Sequence, residues 1–242
     1  MKKQRKRIYT ALLCTCFLFS TASVPVSAAE TEQEEMTTLS NRSGEAEVST
    51  AADLTSALRD STKDTVKLTA GIIIDTTLTV NRAVTLDLNG FVLRMTGNDS
   101  VIKVEQGGNL TIADSNKNTE HKFAQHDGLW VLVDDGIKTV KGGIITGGKA
   151  QKGGGVYVAP GGKLNMTGGS IVGCQARYGG GVYLDNNDQT GEPSEFTMTS
   201  SRIIGCTASE QGGGVVVDPA CTFTMDNDSE IRSCTARLGG GV

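Results

Sequence analysis

Short runs in which apolar and polar residues alternate recur along most of the chain. Val66-Lys67-Leu68 and Leu78-Thr79-Val80 are two of them, and the longer run Val84-Thr85-Leu86-Asp87-Leu88 ends at Asn89-Gly90. A period of two places alternate side chains on opposite faces of a strand, and Gly or Asn marks the turn that follows. The pattern predicts many short β-strands joined by tight corners.

The second half of the chain repeats one glycine-rich motif. The motif Gly-Gly-Gly-Val begins at Gly153, Gly179, Gly212 and Gly239. These copies are 26, 33 and 27 residues apart, and the longer interval comes mainly from extra residues in the segment 185–192. Repeats of this length are typical of solenoids, in which each unit buries its apolar face against its neighbours. Each unit contains three strand-length runs and no helical stretch, which predicts the coils of a parallel β-helix, about 4.8 Å apart.

One segment before these runs has helical periodicity. Leu54 and Leu58 fall on one face of a helix, and Thr50-Ala51-Ala52-Asp53 resembles a capping box. We therefore expect one short amphipathic helix at about residues 51–60. Its expected role is to cover the first coil, which would otherwise present an open sheet edge.

The N-terminal segment is typical of a secretory signal peptide. Five basic residues within 1–7 precede an apolar run from Ile8 to Val26, and small residues around Ala28 provide a cleavage site. A membrane anchor is the alternative interpretation, although Pro25 and polar residues interrupt the apolar run. Export predicts a secreted or cell-surface protein.

Three regions follow from these patterns. We predict a signal peptide at 1–28, a disordered acidic spacer at 29–50, and a parallel β-helix domain at 51–242. The last copy of the motif reaches Val242 within a coil and has no polar capping unit after it. We expect this β-helix to be incomplete at its uncapped C-terminal end and to belong to a longer protein.

The net charge of the chain limits the classes of molecule that it can bind. The whole chain carries −4, and loss of the five basic residues of the signal peptide leaves −9. A negative protein repels nucleic acids and anionic membrane surfaces. We expect no nucleic-acid partner and no integral membrane span after signal cleavage.

The chain resembles right-handed parallel β-helix repeat proteins of bacterial surfaces, in the pectate-lyase-like superfamily. The features that carry the resemblance are the predicted helix, the segment Val84-Thr85-Leu86-Asp87-Leu88-Asn89-Gly90 and the Gly-Gly-Gly-Val coils. The glycine motif is also similar to the repeats of chlamydial polymorphic outer-membrane proteins and related adhesins. The resemblance covers about residues 51–242 and implies a right-handed β-helix, but such repeats are specific for fold and not for activity.

Enzymes share this implied fold, so we searched for catalytic and metal-binding groups. Asp134-Asp135 is an adjacent acidic pair, but adjacent residues point to opposite faces of a strand, and a solvated turn before Gly136 explains the pair better. The loop Asp185-Asn186-Asn187-Asp188 lacks the glycine of a calcium-binding loop. His121 and His126 have no cysteine partner nearby. We therefore predict no catalytic residue, no metal site and no cofactor.

Two tyrosines are the candidate ligand-binding residues. In Val156-Tyr157-Val158 and Val182-Tyr183-Leu184 the alternation points both tyrosines outward, with Val216 at the same place in the next coil. Exposed stacked rings suit sugar rings or a partner strand, and truncating them is expected to change stability by no more than about 1 kcal/mol. The alternative is a cross-strand pair that only stabilises the sheet.

The cysteines form a second equivalent set. Cys174, Cys206 and Cys234 follow matching apolar runs, at a corner where related β-helix repeats usually carry asparagine. We predict a buried column of free thiols, because in-register parallel side chains suit the torsion of a disulfide poorly. A bridge from Cys221, which falls at a turn, is the competing possibility.

These expectations favour a non-catalytic adhesin or glycan-binding module, with a polysaccharide or a surface protein as partner. The first alternative is a polysaccharide lyase or glycoside hydrolase of the pectate-lyase-like superfamily. The second is a passive stalk that displays other domains.

Overall fold

The computed structural model describes residues 44–126, 128–186 and 192–242. The predicted signal peptide, the predicted spacer up to residue 43, Asp127 and residues 187–191 lie outside the described residues. All described residues belong to one unit, Ser43–Val242.

The described residues form mostly parallel β-sheet, with strands numbered in chain order. Sheet A contains β1 (Gly44–Val48), β2 (Lys63–Leu68), β5 (Ala83–Asp87), β8 (Asn109–Ala113), β15 (Lys163–Met166), β19 (Glu195–Met198) and β23 (Thr222–Met225). Sheet B contains β3 (Ile72–Ile74), β6 (Val92–Met95), β12 (Ile144–Thr146), β16 (Ser170–Val172), β20 (Arg202–Ile204) and β24 (Glu230–Arg232). Sheet C contains β4 (Leu78–Val80), β7 (Ile102–Val104), β14 (Val156–Val158), β18 (Val182–Leu184) and β22 (Val215–Val217).

A smaller parallel sheet accompanies the glycine-rich repeats. Sheet D contains β13 (Lys149–Lys152), β17 (Gln175–Tyr178) and β21 (Thr207–Gln211). It exists because the run that begins at Ile171 bends at Gly173, where φ is +64°, so that the chain starts a new strand after Cys174.

The chain visits sheets A, B and C in turn and then returns to sheet A, and we call each such passage a layer. Neighbouring layers pair in register, so that Leu110, Leu164, Phe196 and Phe223 align across sheet A. Alternate side chains of all three sheets enter one apolar core. The predicted all-β class with parallel strands is confirmed, and this arrangement is compatible with an all-β solenoid.

The predicted helix is present as α1, Ala51–Arg59. The Thr50 Oγ1 atom accepts a hydrogen bond from the Asp53 backbone N–H at 3.2 Å and donates one to the Asp53 carboxylate at 2.7 Å. Leu54 and Leu58 are buried, and the helix packs on β1 to β4. The predicted position of the helix is confirmed.

Part of the predicted spacer is ordered. Strand β1 pairs in parallel with β2, and Val48 is 4% exposed. Within β1, Glu45 and Glu47 alternate with Ala46 and Val48, and this short period-two pattern places only the apolar side chains against the core. The prediction of disorder through residue 50 is therefore wrong for this strand.

The polar segment after β8 is not a simple loop. It begins an antiparallel sheet made of β9 (Glu120–His126), β10 (Leu129–Leu132) and β11 (Lys138–Lys141), which we call the insert sheet. Its ends meet, because the Gly142 N–H donates to the Thr119 carbonyl at 2.8 Å. Sheet B is continuous past this insertion, since β12 pairs in register with both β6 and β16.

The insert sheet covers the outer face of sheet B through a small apolar core of its own. Phe123, Trp130, Val140, Ile144, Val172 and Ile204 form that core. Trp130 lies against the glycines that directly follow β16 and β20. A Cβ at Gly205 would stand 2.2 Å from Trp130 Cδ1, and one at Gly173 would stand 1.9 Å from the Trp130 carbonyl oxygen. The insert sheet can approach sheet B this closely because glycine has no side chain at these two positions.

Candidate functional site: a polar cleft on the outer face of sheet C

An open cleft of about 620 Å³ lies on the outer face of sheet C. Its lining residues are of polar or charged type, apart from one tyrosine, and come from the first three layers. The lining residues are Thr77, Thr79, Asn98, Asp99, Ser100, Lys103, Glu105, Gln151, Lys152 and Tyr157. Hydroxyl, amide and charged groups therefore surround a single aromatic ring.

The floor of the cleft is built by the middle residues of three adjacent strands. Thr79 of β4 pairs with Lys103 of β7, which pairs with Tyr157 of β14. The residues on either side of each, such as Leu78 and Val80, are buried in the core, so the middle side chain must point outward. Strand β13 adds Gln151 and Lys152 along one side.

Both lysines of the cleft are paired with carboxylates. Lys103 Nζ lies 2.9 Å from Glu105 Oε1, and both side chains are partly exposed. Lys152 Nζ lies 3.0 Å from Asp185 Oδ2. The Asp185 side chain is only 5% exposed and therefore holds Lys152 from a nearly buried position.

The predicted stacking of Tyr157 on Tyr183 is present, but the predicted exposure is wrong for Tyr183. The ring centroids are 6.2 Å apart at an interplanar angle of 25°. Tyr183 is only 6% exposed, and the Lys152 ammonium lies 4.5 Å from its ring centroid. Tyr157 is half-buried between Tyr183 and Lys103, its partners in the sheet. The Tyr183 ring therefore offers no open face to a sugar, whereas Tyr157 borders the cleft.

The tyrosine hydroxyls are bonded to carboxylates of the following layer. Tyr157 Oη donates to Asp185 Oδ2 at 2.6 Å, and Tyr183 Oη donates to Asp218 at 2.8 and 2.9 Å. Burial, together with these carboxylates, raises the pKa of both tyrosines well above the ordinary value. The predicted small effect of truncating both rings on stability is therefore wrong for Tyr183, because its ring is buried and its hydroxyl is bonded.

Two of the three repeat cysteines are buried as the sequence predicts, and Cys234 is not. Cys174 and Cys206 are fully buried in the main core, and Cys234 packs against it while partly exposed. All three are free, as is Cys221, which accepts a hydrogen bond from Ser194 Oγ at 3.3 Å. Burial raises the pKa of the Cys206 thiol well above its usual range, and these thiols act as small apolar groups in the core.

The first glycine of each motif has a structural role. Gly153, Gly179, Gly212 and Gly239 all have φ between +58° and +66°. The glycines that follow stack closely on the next layer: Gly154 N–H donates to the Gly179 carbonyl at 3.0 Å, and Gly180 N–H to the Gly212 carbonyl at 3.0 Å. A side chain at these corners would collide with backbone, so the motif encodes the contact between layers.

No protein-family model, curated protein or solved structure matches the chain. In the part of the chain that the structure describes, no helix combines the length and apolarity needed to cross a bilayer.

The remaining sequence candidates lie apart from the cleft. Asp134 and Asp135 are in the turn between β10 and β11 of the insert sheet. Both histidines lie in β9, and His121 Nε2 lies 2.9 Å from the Gly90 carbonyl oxygen. Among residues 44–126, 128–186 and 192–242 no group of three His, Cys, Asp or Glu side chains has the geometry of a metal site.

Sequence reasoning found Tyr157 but missed its neighbours in the cleft. Thr79 and Lys103 carried a usable signal, since each is the polar middle residue of an apolar-polar-apolar run. Gln151 and Lys152 carried none, because they approach the cleft only through the separate strand β13.

Proposed function

We propose that this chain is an exported right-handed parallel β-helix that binds a polysaccharide outside the cell and does not turn it over. The in-register stacking of parallel strands in sheets A, B and C supports the β-helix. The basic and apolar character of residues 1–28 supports export. The role agrees with the resemblance to surface adhesins.

The polar cleft is the observation that carries the binding proposal. Its volume is in the range of small-ligand sites, and its open form suits a section of a longer chain. Thr79 and Gln151 offer a hydroxyl and an amide, which pair with sugar hydroxyl groups as both donor and acceptor. The proposed binding site is therefore the cleft beside Tyr157, and not the faces of the two tyrosine rings that the sequence suggested.

The pairing of charges in the cleft supports binding without catalysis. Glycoside hydrolysis requires two carboxyl groups placed on opposite sides of one glycosidic bond, and general acid–base catalysis requires groups that reach the reacting atoms. Here Glu105 is engaged by Lys103, and Asp185 is nearly buried beneath Lys152 and the Tyr157 hydroxyl. These carboxylates hold side chains in place.

A glycan array with matched variants tests this proposal. Thr79→Val with Gln151→Ala removes two polar groups from the cleft and leaves the core intact. The control is Thr85→Val with Gln175→Ala, which makes the same changes outside the cleft, on sheets A and D. Loss of two hydrogen bonds of about 1 kcal/mol each predicts at least about tenfold weaker binding for the cleft pair only.

The other outcomes are distinct. If the cleft double variant and the control double variant bound the glycan with equal affinity, the cleft would not be the binding site. Release of unsaturated or reducing sugar ends by the purified protein, with or without Ca²⁺, would favour the lyase or hydrolase alternative. Binding to a surface protein and to no glycan would favour the protein-partner alternative, and binding to neither would favour the passive stalk.

A further inference from the structure

We infer that the cleft selects neutral saccharides and discriminates against acidic ones such as uronates. This inference rests on the proposed function and specifies the ligand class of the same site. It follows from the pairing of the two cleft lysines with protein carboxylates. Unpaired lysines would attract the carboxylate of an acidic sugar.

Lys103 is neutralised within its own layer. Its ammonium lies 2.9 Å from Glu105, which is two residues further along and therefore on the same outer face. The same ammonium lies 5.7 Å from the centroid of the Tyr157 ring. A sugar carboxylate that approaches Lys103 would have to displace Glu105 or remain beside its negative charge.

Lys152 is held more firmly, because its partner cannot turn to solvent. Asp185 Oδ2 accepts from Lys152 at 3.0 Å and from the Tyr157 hydroxyl at 2.6 Å. With 5% of its side chain exposed, Asp185 is fixed by these two donors. The Lys152 ammonium is held beside Asp185 and over the Tyr183 ring, 4.5 Å from its centroid.

The remaining charge is negative. Asp99, Glu105 and Asp185 contribute three carboxylates against the two ammonium groups of Lys103 and Lys152, and Asp99 is exposed on the rim. The whole chain is also negative, at −4. Among the described residues that line the cleft, an anionic sugar therefore meets no unpaired cation, whereas a neutral hydroxyl can bond to Thr79 or Gln151 without breaking an ion pair.

A single isosteric substitution should convert the specificity. Glu105→Gln keeps an oxygen that accepts from Lys103 but removes the negative charge, so the ammonium becomes free to attract a carboxylate. The matched control is Glu195→Gln, because Glu195 pairs with Lys163 at the same distance of 2.9 Å, on sheet A and away from the cleft.

The measurement is calorimetric titration of the purified protein with two oligosaccharides of equal length, one neutral and one built of uronates, at low and high salt. We expect the wild type to bind the neutral oligosaccharide at least about tenfold more tightly. We expect Glu105→Gln to gain at least about tenfold in affinity for the uronate at low salt only, because salt screens the freed charge. Glu195→Gln should behave as the wild type.

Three results would overturn the inference, and they are separable. Wild-type preference for the uronate would refute neutral selection and leave glycan binding intact. An equal gain in Glu105→Gln and Glu195→Gln, or no gain in either, would refute the role of the Lys103–Glu105 pair. Failure of the wild type to bind any saccharide would refute the proposed function itself.

Discussion

At the residue scale, the burial of Tyr183 shows what the alternation of apolar and polar residues predicts and what it does not. Alternation in Val182-Tyr183-Leu184 places the tyrosine outside the core, and the structure agrees, since its neighbours are core residues. Its low exposure depends on Lys152 from sheet D and on Asp218, which is 35 residues away in the chain. A period of two fixes the face of a sheet and carries no information about what covers that face.

The burial of Tyr183 leads to a stability prediction. Tyr183→Ala should lower the free energy of unfolding by about 3 kcal/mol, because it removes a buried aromatic ring, its stacking on Tyr157 and a bond to a carboxylate. Tyr178→Ala is the control, since Tyr178 is partly exposed in the same layer, and its loss should cost about 1 kcal/mol. Urea denaturation measures both, and similar losses for the two variants would show that Tyr183 is not part of the packed structure.

At the scale of single elements, the insert sheet depends on glycines of another sheet. Trp130 is the only tryptophan of the chain and is 4% exposed, above Gly173 and Gly205. In the next layer the equivalent position is Ser233, with φ of +55°. A side chain is therefore compatible with this backbone conformation where Trp130 does not lie above it.

Gly205→Ala should consequently release the insert sheet. The added Cβ would stand 2.2 Å from Trp130 Cδ1, so the indole should move toward solvent and its fluorescence should shift to longer wavelength. Gly107→Ala is the control, because Gly107 also has positive φ, +76°, but no heavy atom lies within 4 Å of its added Cβ. Both variants carry backbone strain of about 1–2 kcal/mol. An unchanged spectrum for Gly205→Ala would mean that Trp130 is not packed on this glycine.

Elements with strict apolar periodicity were predictable, and the others were not. The runs at 66–68, 78–80 and 84–88 became β2, β4 and β5, and the capping box at Thr50 marked the start of α1. The insert sheet escaped prediction because the sequence of β9, with Phe123 as its one fully buried side chain, is mostly polar. Its core is completed by residues of β12, β16 and β20, which sequence alone does not bring together.

At the scale of the whole molecule, stability comes from contact between successive layers. The glycine corners connect these layers through backbone hydrogen bonds, and the core residues align in register across them. In such an arrangement each layer depends on its two neighbours, so a defect at one corner affects the layers on both sides.

Gly180→Ala tests this dependence. Its Cβ would stand 2.5 Å from the carbonyl oxygens of Gly213 and Thr207, so two layers must separate, at a cost of about 2 kcal/mol. Gly71→Ala is the control, because its Cβ would be 3.6 Å from the nearest atom, an ordinary contact. Hydrogen exchange should show faster exchange of the amides at 179–182 and 212–215 in Gly180→Ala only. Protection that is unchanged at 212–215 would mean that the layers are independent.

The meeting of the insert's two ends at Thr119 and Gly142 has a consequence for engineering and for evolution. A segment whose ends are hydrogen-bonded to each other can be exchanged for another folded module without moving the strands on either side. Sheet B accommodates the present insertion, because β12 keeps its register with β6 and β16. A replacement at this corner, such as an enzyme or a reporter domain, would also have to cover Ile144, Val172 and Ile204, which the insert sheet buries.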